Sequence, residues 1–148
     1  MGLFSSISAT TSGLAAQRVR MDTVASNVAN LDTTRSADGD GPYKRQVVRF
    51  ASPGQAAPFQ HLVARLSGQP RAGVVLTSVE TDEESPTRIQ YDPSHPDADE
   101  DGYVELPNVD LVTEMTDLTS ANRSYQANVT VLNALKQMAL RALDIGSR

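Results

Sequence analysis

The spacing in this chain most suggestive of chemistry is Asp97, Asp99 and Asp101 followed by Gly102, which reproduces the D-x-D-x-D-G opening of an EF-hand calcium loop. Carboxylates at alternate positions can converge on a hard divalent cation, and the glycine allows the sharp turn. The twelfth position counted from Asp97 is Asn108, where a bidentate Glu closes such a loop, and Pro96 and Pro107 oppose tight flanking helices. The run from Asp92 to Gly102 therefore reads first as an acidic, proline-punctuated loop, with an acidic calcium-binding adaptor as the alternative function. His61 and His95 stand far apart, in no H-E-x-x-H or H-x-E arrangement, and there is no G-x-S-x-G elbow and no phosphate-cradling glycine loop. With no Cys, thiol nucleophiles and Cys-based zinc sites are excluded. The sequence thus offers no catalytic residue, no metal ligand set and no cofactor site. A small hydrolase would have only scattered Ser and His to draw on.

The pattern that does stand out is helical. Leu3, Ile7, Thr10, Leu14, Gln17, Met21, Val24, Val28 and Leu31 step by four and three in turn, the a/d spacing of a helix built to pack on other helices. Leu111, Met115, Leu118, Asn122, Tyr125, Val129, Leu132, Lys136, Ala139 and Leu143 repeat it near the other end. The first run predicts a helix from about Leu3 to Leu31, roughly 40 Å long, in which Gly13 admits close approach of a neighbouring backbone. The second predicts a helix capped by Asn108 or Asp110 and ending before Gly146. Beside its first seam run Val131, Leu135, Met138, Ala142 and Ile145, so this helix has two packing faces and suits a many-neighboured assembly. Polar residues at Thr10, Gln17, Asn122 and Lys136 either select register or face solvent or a lumen.

Between the helices the period changes. Turn chemistry runs from Asp32 to Pro42; Tyr43 to Phe50 and Gly73 to Val79 read as strands, with a short third strand at Thr87 to Tyr91. Phe59 to Leu66, bracketed by Pro58 and Gly68, fits either a short helix or no regular state. The expected class is α+β: long N- and C-terminal helices in a coiled-coil-like layer with a small β-rich insertion. The boundaries are 1–34 for the N-terminal assembly helix, 35–107 for the β-rich middle with its acidic loop, and 108–148 for the C-terminal assembly helix.

Composition limits the partners. The chain has 148 residues, 39% hydrophobic and only 5% aromatic, which is lean for a large self-sufficient core. A formal charge of −5 argues against nucleic acid or an anionic membrane surface. No stretch reaches the roughly 18 apolar residues of a membrane span. No secretory signal is readable, since the first basic residue is Arg18.

Asn27-Val28-Ala29-Asn30-Leu31-Asp32-Thr33 resembles the Asn-x-Ala-Asn-x-x-Thr signature that ends the N-terminal helix of bacterial flagellar axial proteins, the rod and hook family. Ser12-Gly13-Leu14-Ala15-Ala16-Gln17-Arg18 and Ser124-Tyr125-Gln126-Ala127-Asn128-Val129 resemble the helices of that family, and Gly41-Pro42-Tyr43-Lys44-Arg45, Tyr91 to Ala98 and Gly102 to Val109 are similar to its proximal rod members. The resemblance covers residues 3–50 and 74–145. Physically, Asn27 and Asn30 can fix the exit of the chain through side-chain hydrogen bonds, and Asn tolerates the left-handed conformation that stops a helix. Met1-Gly2-Leu3-Phe4-Ser5-Ser6 fits an N-myristoylation pattern, but the resemblance implies a bacterial protein without that modification.

What the resemblance implies is a non-enzymatic subunit of the periplasmic rod of the flagellar basal body, exported unfolded through the flagellar type III apparatus. The implied partners are copies of itself, proximal rod subunits B and F, distal rod protein G and the rod-base adaptor protein E, with no nucleic acid and no membrane insertion. The expected assembly contacts are Ile7, Leu14, Met21, Val24 and Val28 on the first helix and Leu118, Tyr125, Val129, Leu132 and Leu143 on the second; Asn27, Ala29, Asn30 and Thr33 carry the family motif. Helices so exposed are expected to be partly disordered until neighbours cover them.

Overall fold

The structure, a computed structural model, describes residues 2–36, 41–53 and 73–146. Helix α1 spans Leu3–Ala29 and helix α2 spans Leu111–Gly146. Between them lie β1 (Gln46–Ala51), β2 (Val75–Thr81), β3 (Arg88–Tyr91) and β4 (Tyr103–Leu106). Strands β1 and β2 form one two-stranded sheet, and β3 and β4 a second, antiparallel one. This is the expected α+β arrangement. The ambiguous segment at Phe59 to Leu66, with His61, lies outside the described residues.

The chain divides into two compact units: residues 1–21, 48–78 and 120–148 in the first, and 22–47 and 79–119 in the second. In the first unit a Cβ built on Gly13 would lie 3.1 Å from Nδ2 of Asn128, so glycine there lets the two helices close up. Gly73, at φ +130°, sets its backbone against Ser12, whose hydroxyl accepts from the Val74 N–H at 3.0 Å. The guanidinium of Arg20 lies over the Phe50 ring, 5.7 Å from its centre. Among the described residues of this unit only Ala16 and Ala121 are buried. Two alanines permit close helix approach but remove little apolar surface from water.

The Gln17 Oε1 is buried here without a hydrogen-bond partner. Since an unpaired buried carbonyl oxygen costs about 1–3 kcal/mol, Gln17→Met, similar in volume, is expected to stabilise the free chain by about 1 kcal/mol. A thermal melt that fails to rise would show that this oxygen is hydrated.

The second unit has a denser interior. Val24, Val104, Leu106 and Val109 are 3–8% exposed, beside fully buried Pro107. Strand β4 was not expected from the sequence, where Tyr103 to Leu106 merges into the acidic run before Pro107. Its burial alternates residue by residue, exposed at Tyr103 and Glu105 and buried at Val104 and Leu106, the period-2 mark of a half-covered strand. Asp110 caps α2: its carboxylate accepts from the N–H groups of Val112 and Thr113 at 3.3 and 3.2 Å and from the Thr113 hydroxyl at 2.6 Å. Asn108, the other capping candidate, turns elsewhere.

Candidate assembly site

Asn27 lies inside α1, two residues before its end, and is 1% exposed. Its Nδ2 donates to the Gln46 carbonyl at 2.9 Å and to Glu114 Oε2 at 3.1 Å. Its Oδ1 accepts from the Tyr43 hydroxyl and the Gln46 N–H, both at 2.9 Å. Two donors and two acceptor positions are thus all used, the full capacity of a carboxamide. No other side chain of this size can supply that set.

Glu114, in the first turn of α2, is completely buried. Its Oε1 accepts from Arg45 Nε at 2.7 Å, and a carboxylate near a helix N-terminus is also favoured by the peptide dipoles. The Arg45 backbone N–H donates to Asn108 Oδ1 at 2.7 Å, and Asn108 Nδ2 donates to the carbonyls of Asp82 and Ser85 at 3.0 and 3.2 Å. Within this unit one polar network therefore ties the end of α1, the chain entering β1, the turn after β2 and the start of α2. Sequence reasoning named Asn27 but missed Glu114, Arg45, Tyr43 and Gln46. The available signal was a single carboxylate in the apolar opening Leu111-Val112-Thr113-Glu114-Met115.

The motif works differently from the expected left-handed stop, since no described residue other than glycine has positive φ. Instead α1 tightens in its last turn, with the Asn30 N–H bonding to Ser26 and Asn27 carbonyls and the Leu31 N–H to Val28. Asn30 Nδ2 bonds back to the Ser26 carbonyl at 2.9 Å, and its Oδ1 accepts from the Thr33 hydroxyl at 3.2 Å. Ala29 is exposed.

The acidic loop holds the chain rather than forming a cation cage. Asp97 accepts from the Thr34 hydroxyl at 2.7 Å and from Arg35 Nε at 2.6 Å. Asp99 Oδ1 accepts from the N–H groups of Asp101 and Tyr103 at 3.0 and 2.7 Å. Asn108, in the closing position of the calcium motif, is engaged with Arg45, Asp82 and Ser85. Among the described residues no three His, Asp or Glu side chains gather as a metal site requires. The calcium reading gains no support.

Hydrogen bonds hold four carboxyls of this unit below the ordinary carboxylate value: Asp97 chiefly through Thr34, Asp110 through Thr113, Asp82 through Ser85 and Asp92 through Ser94. Each therefore adds stability above the unfolded-state value near 3.8, and that stability drains away as pH falls to the depressed native values. Melts followed from about pH 6 to about pH 3 are expected to show a falling midpoint concentrated below about pH 4; a flat profile would overturn this.

The expected contact residues fall into three groups. Ile7, Leu14, Met21 and Val28 on α1 and Leu118, Tyr125, Val129 and Leu132 on α2 are half-buried. Leu143 is 70% exposed, whereas Val24 is 5% exposed and sits within the second unit. Phe4, at 86%, is a larger exposed side chain that the heptad reading passed over.

Terminal helices with little apolar cover and a saturated polar junction suit a subunit that packs among neighbours. A profile described as "Flagella basal body rod protein" matches residues 7–35, and one described as "Flagellar basal body rod FlgEFG protein C-terminal" matches residues 100–145. The chain is 48% identical to the flagellar basal-body rod protein FlgC of Borreliella burgdorferi, over 98% of each chain. It is 46% identical to that of Bacillus subtilis over 99% of each, and 44% identical to that of Salmonella typhimurium over 91% of each. The chain belongs to the FlgC family of flagellar basal-body rod proteins, and it is a structural rod subunit.

Proposed function

We propose that the chain is a non-enzymatic subunit of the proximal rod, in which copies and other rod proteins stack into a hollow shaft around the export channel. The observation that carries this is the uneven burial: the first unit buries only Ala16 and Ala121 among its described residues, while Phe4, Val131, Met138, Leu140 and Leu143 stand 48–86% exposed. Surface of that kind is worth about 25 cal/mol per Å² once covered, so neighbours supply what the free chain lacks. Half-buried ridges at Ile7, Leu14, Met21, Val28, Leu118, Tyr125, Val129 and Leu132, with Leu143, are the contacts we assign to assembly.

Heterologous contacts that do not close into a ring generate a helical tube, and dense packing between copies passes torque along it. The neighbours that fit this place are proximal rod subunits B and F, distal rod protein G and the adaptor protein E, with delivery by the flagellar type III apparatus. Ordering of the terminal helices would then accompany addition to the rod. The decisive test is imaging of isolated basal bodies with and without the gene. The chain is expected in the central shaft, with rods missing from the deletion strain; intact rods in that strain would overturn the reading.

A further inference from the structure

Charge is divided sharply between the two units. The segments of the first hold nine of the thirteen Lys and Arg but one of the eighteen carboxylates, while those of the second hold four and seventeen, formal charges of +8 and −13. Such separation costs self-repulsion within each unit and creates strong opposed fields on one molecule.

On α2, Arg123, Ala127, Val131, Ala134, Met138 and Arg141 follow at steps of four, four, three, four and three residues, which puts them on one helix face. All six are exposed, and neither arginine takes part in the ion pairs found among the described residues. This is an apolar strip with a cation at each end, distinct from the half-buried ridge through Tyr125, Val129 and Leu132.

The second unit offers a matching surface. On the outer face of the β3–β4 hairpin Ile89 and Tyr91 are each 64% exposed and Tyr103 46%, with Tyr91 edge-on to Tyr103 at 5.2 Å. Glu105 pairs directly across from Ile89. A pocket of about 520 Å³ opens there, with Pro42, Ile89 and Tyr103 as apolar lining and Asp97, Asp99 and Glu105 at its acidic side. Glu100 and Asp101, which follow Asp99 in the chain, are exposed and add negative charge to the same loop.

We propose that the Arg123–Arg141 strip of one copy seats on the β3–β4 face of a second copy, with Met138 entering the pocket and Arg141 facing Glu105. Both chemistries match: apolar strip to apolar face, cationic ends to an acidic rim. Because the two surfaces belong to different units of the same chain, the contact is head-to-tail and leaves a free copy of each surface for the next subunit. The proposal rests on the reading of the chain as a self-adding rod subunit.

Sedimentation of the full chain tests it. Self-association is expected to weaken at least about tenfold between low and high salt. Arg123→Glu with Arg141→Glu, or Glu100→Lys with Glu105→Lys, is expected to abolish it with the melt unchanged; were a reversal to disturb the melt, Arg123→Gln with Arg141→Gln replaces it. An equimolar mixture of the two reversed variants is expected to associate again, since each remaining and each reversed surface then finds its opposite. A wild-type chain that stays monomeric, a variant that associates like wild type, or a mixture that does not recover overturns the contact. Rods carrying the reversed chain at normal abundance also overturn it while leaving the rod assignment standing, whereas absence of the native chain from basal bodies strikes the assignment itself.

Discussion

Asn27→Asp is expected to destabilise the chain by about 3–5 kcal/mol and to remove it from assembled rods. The substitution is nearly isosteric, so the loss is electrostatic. The carboxamide donates to the Gln46 carbonyl and to Glu114 Oε2; a carboxylate can donate to neither and places a second negative charge against a Glu that has no solvent exposure. Asn27→Ala should cost less, because it leaves unsatisfied groups but adds no charge. Urea unfolding followed by circular dichroism gives both values, and a loss under about 1 kcal/mol for the Asp variant would mean that the junction admits water.

The second large effect concerns Arg45, and the direction follows from an asymmetry in burial. The Arg45 side chain is 25% exposed and also lies 3.7 Å from Asp117, whereas its partner Glu114 is fully buried. Arg45→Met therefore strands a buried carboxylate and should cost about 3–5 kcal/mol. Adding Glu114→Leu removes the stranded charge and should recover most of that loss, although Asn27 then lacks one acceptor. A double variant as unstable as Arg45→Met alone would show that the pair acts through shape rather than charge.

On the proposed reading, assembly and stability fall to different places. The second unit carries the packed interior and the saturated polar network, while the first carries helices with thin cover. A variant at the junction should fail in the free chain and in the rod alike. A variant on the ridge of α2 should melt normally and fail only in the rod.

Local pattern was enough to place both long helices, because a 4/3 apolar spacing over some thirty residues outweighs any competing signal. It also placed strands near β1, β2 and β3, where Val and other β-formers stand between turn residues; Asn27 stood out only through the family signature that its segment resembles. Strand β4 escaped because four residues with only two buried positions resemble the end of a loop. The Asn108 and Asp110 side chains were indistinguishable as caps by type; only their neighbours decided that Asp110 caps α2 while Asn108 braces Arg45 and the turn after β2.

The amino-acid order by itself determined which faces of the helices are apolar and that the stretches around β1, β2 and β3 are extended, since both follow from the fixed periods of helix and strand. What only the tertiary structure decided is the partnership of Asn27 with Glu114 across 87 positions, and with it the roles of Arg45 and Tyr43. A carboxylate or carboxamide has no preferred partner until the fold has removed water from around it, so long-range polar pairing leaves no trace in spacing.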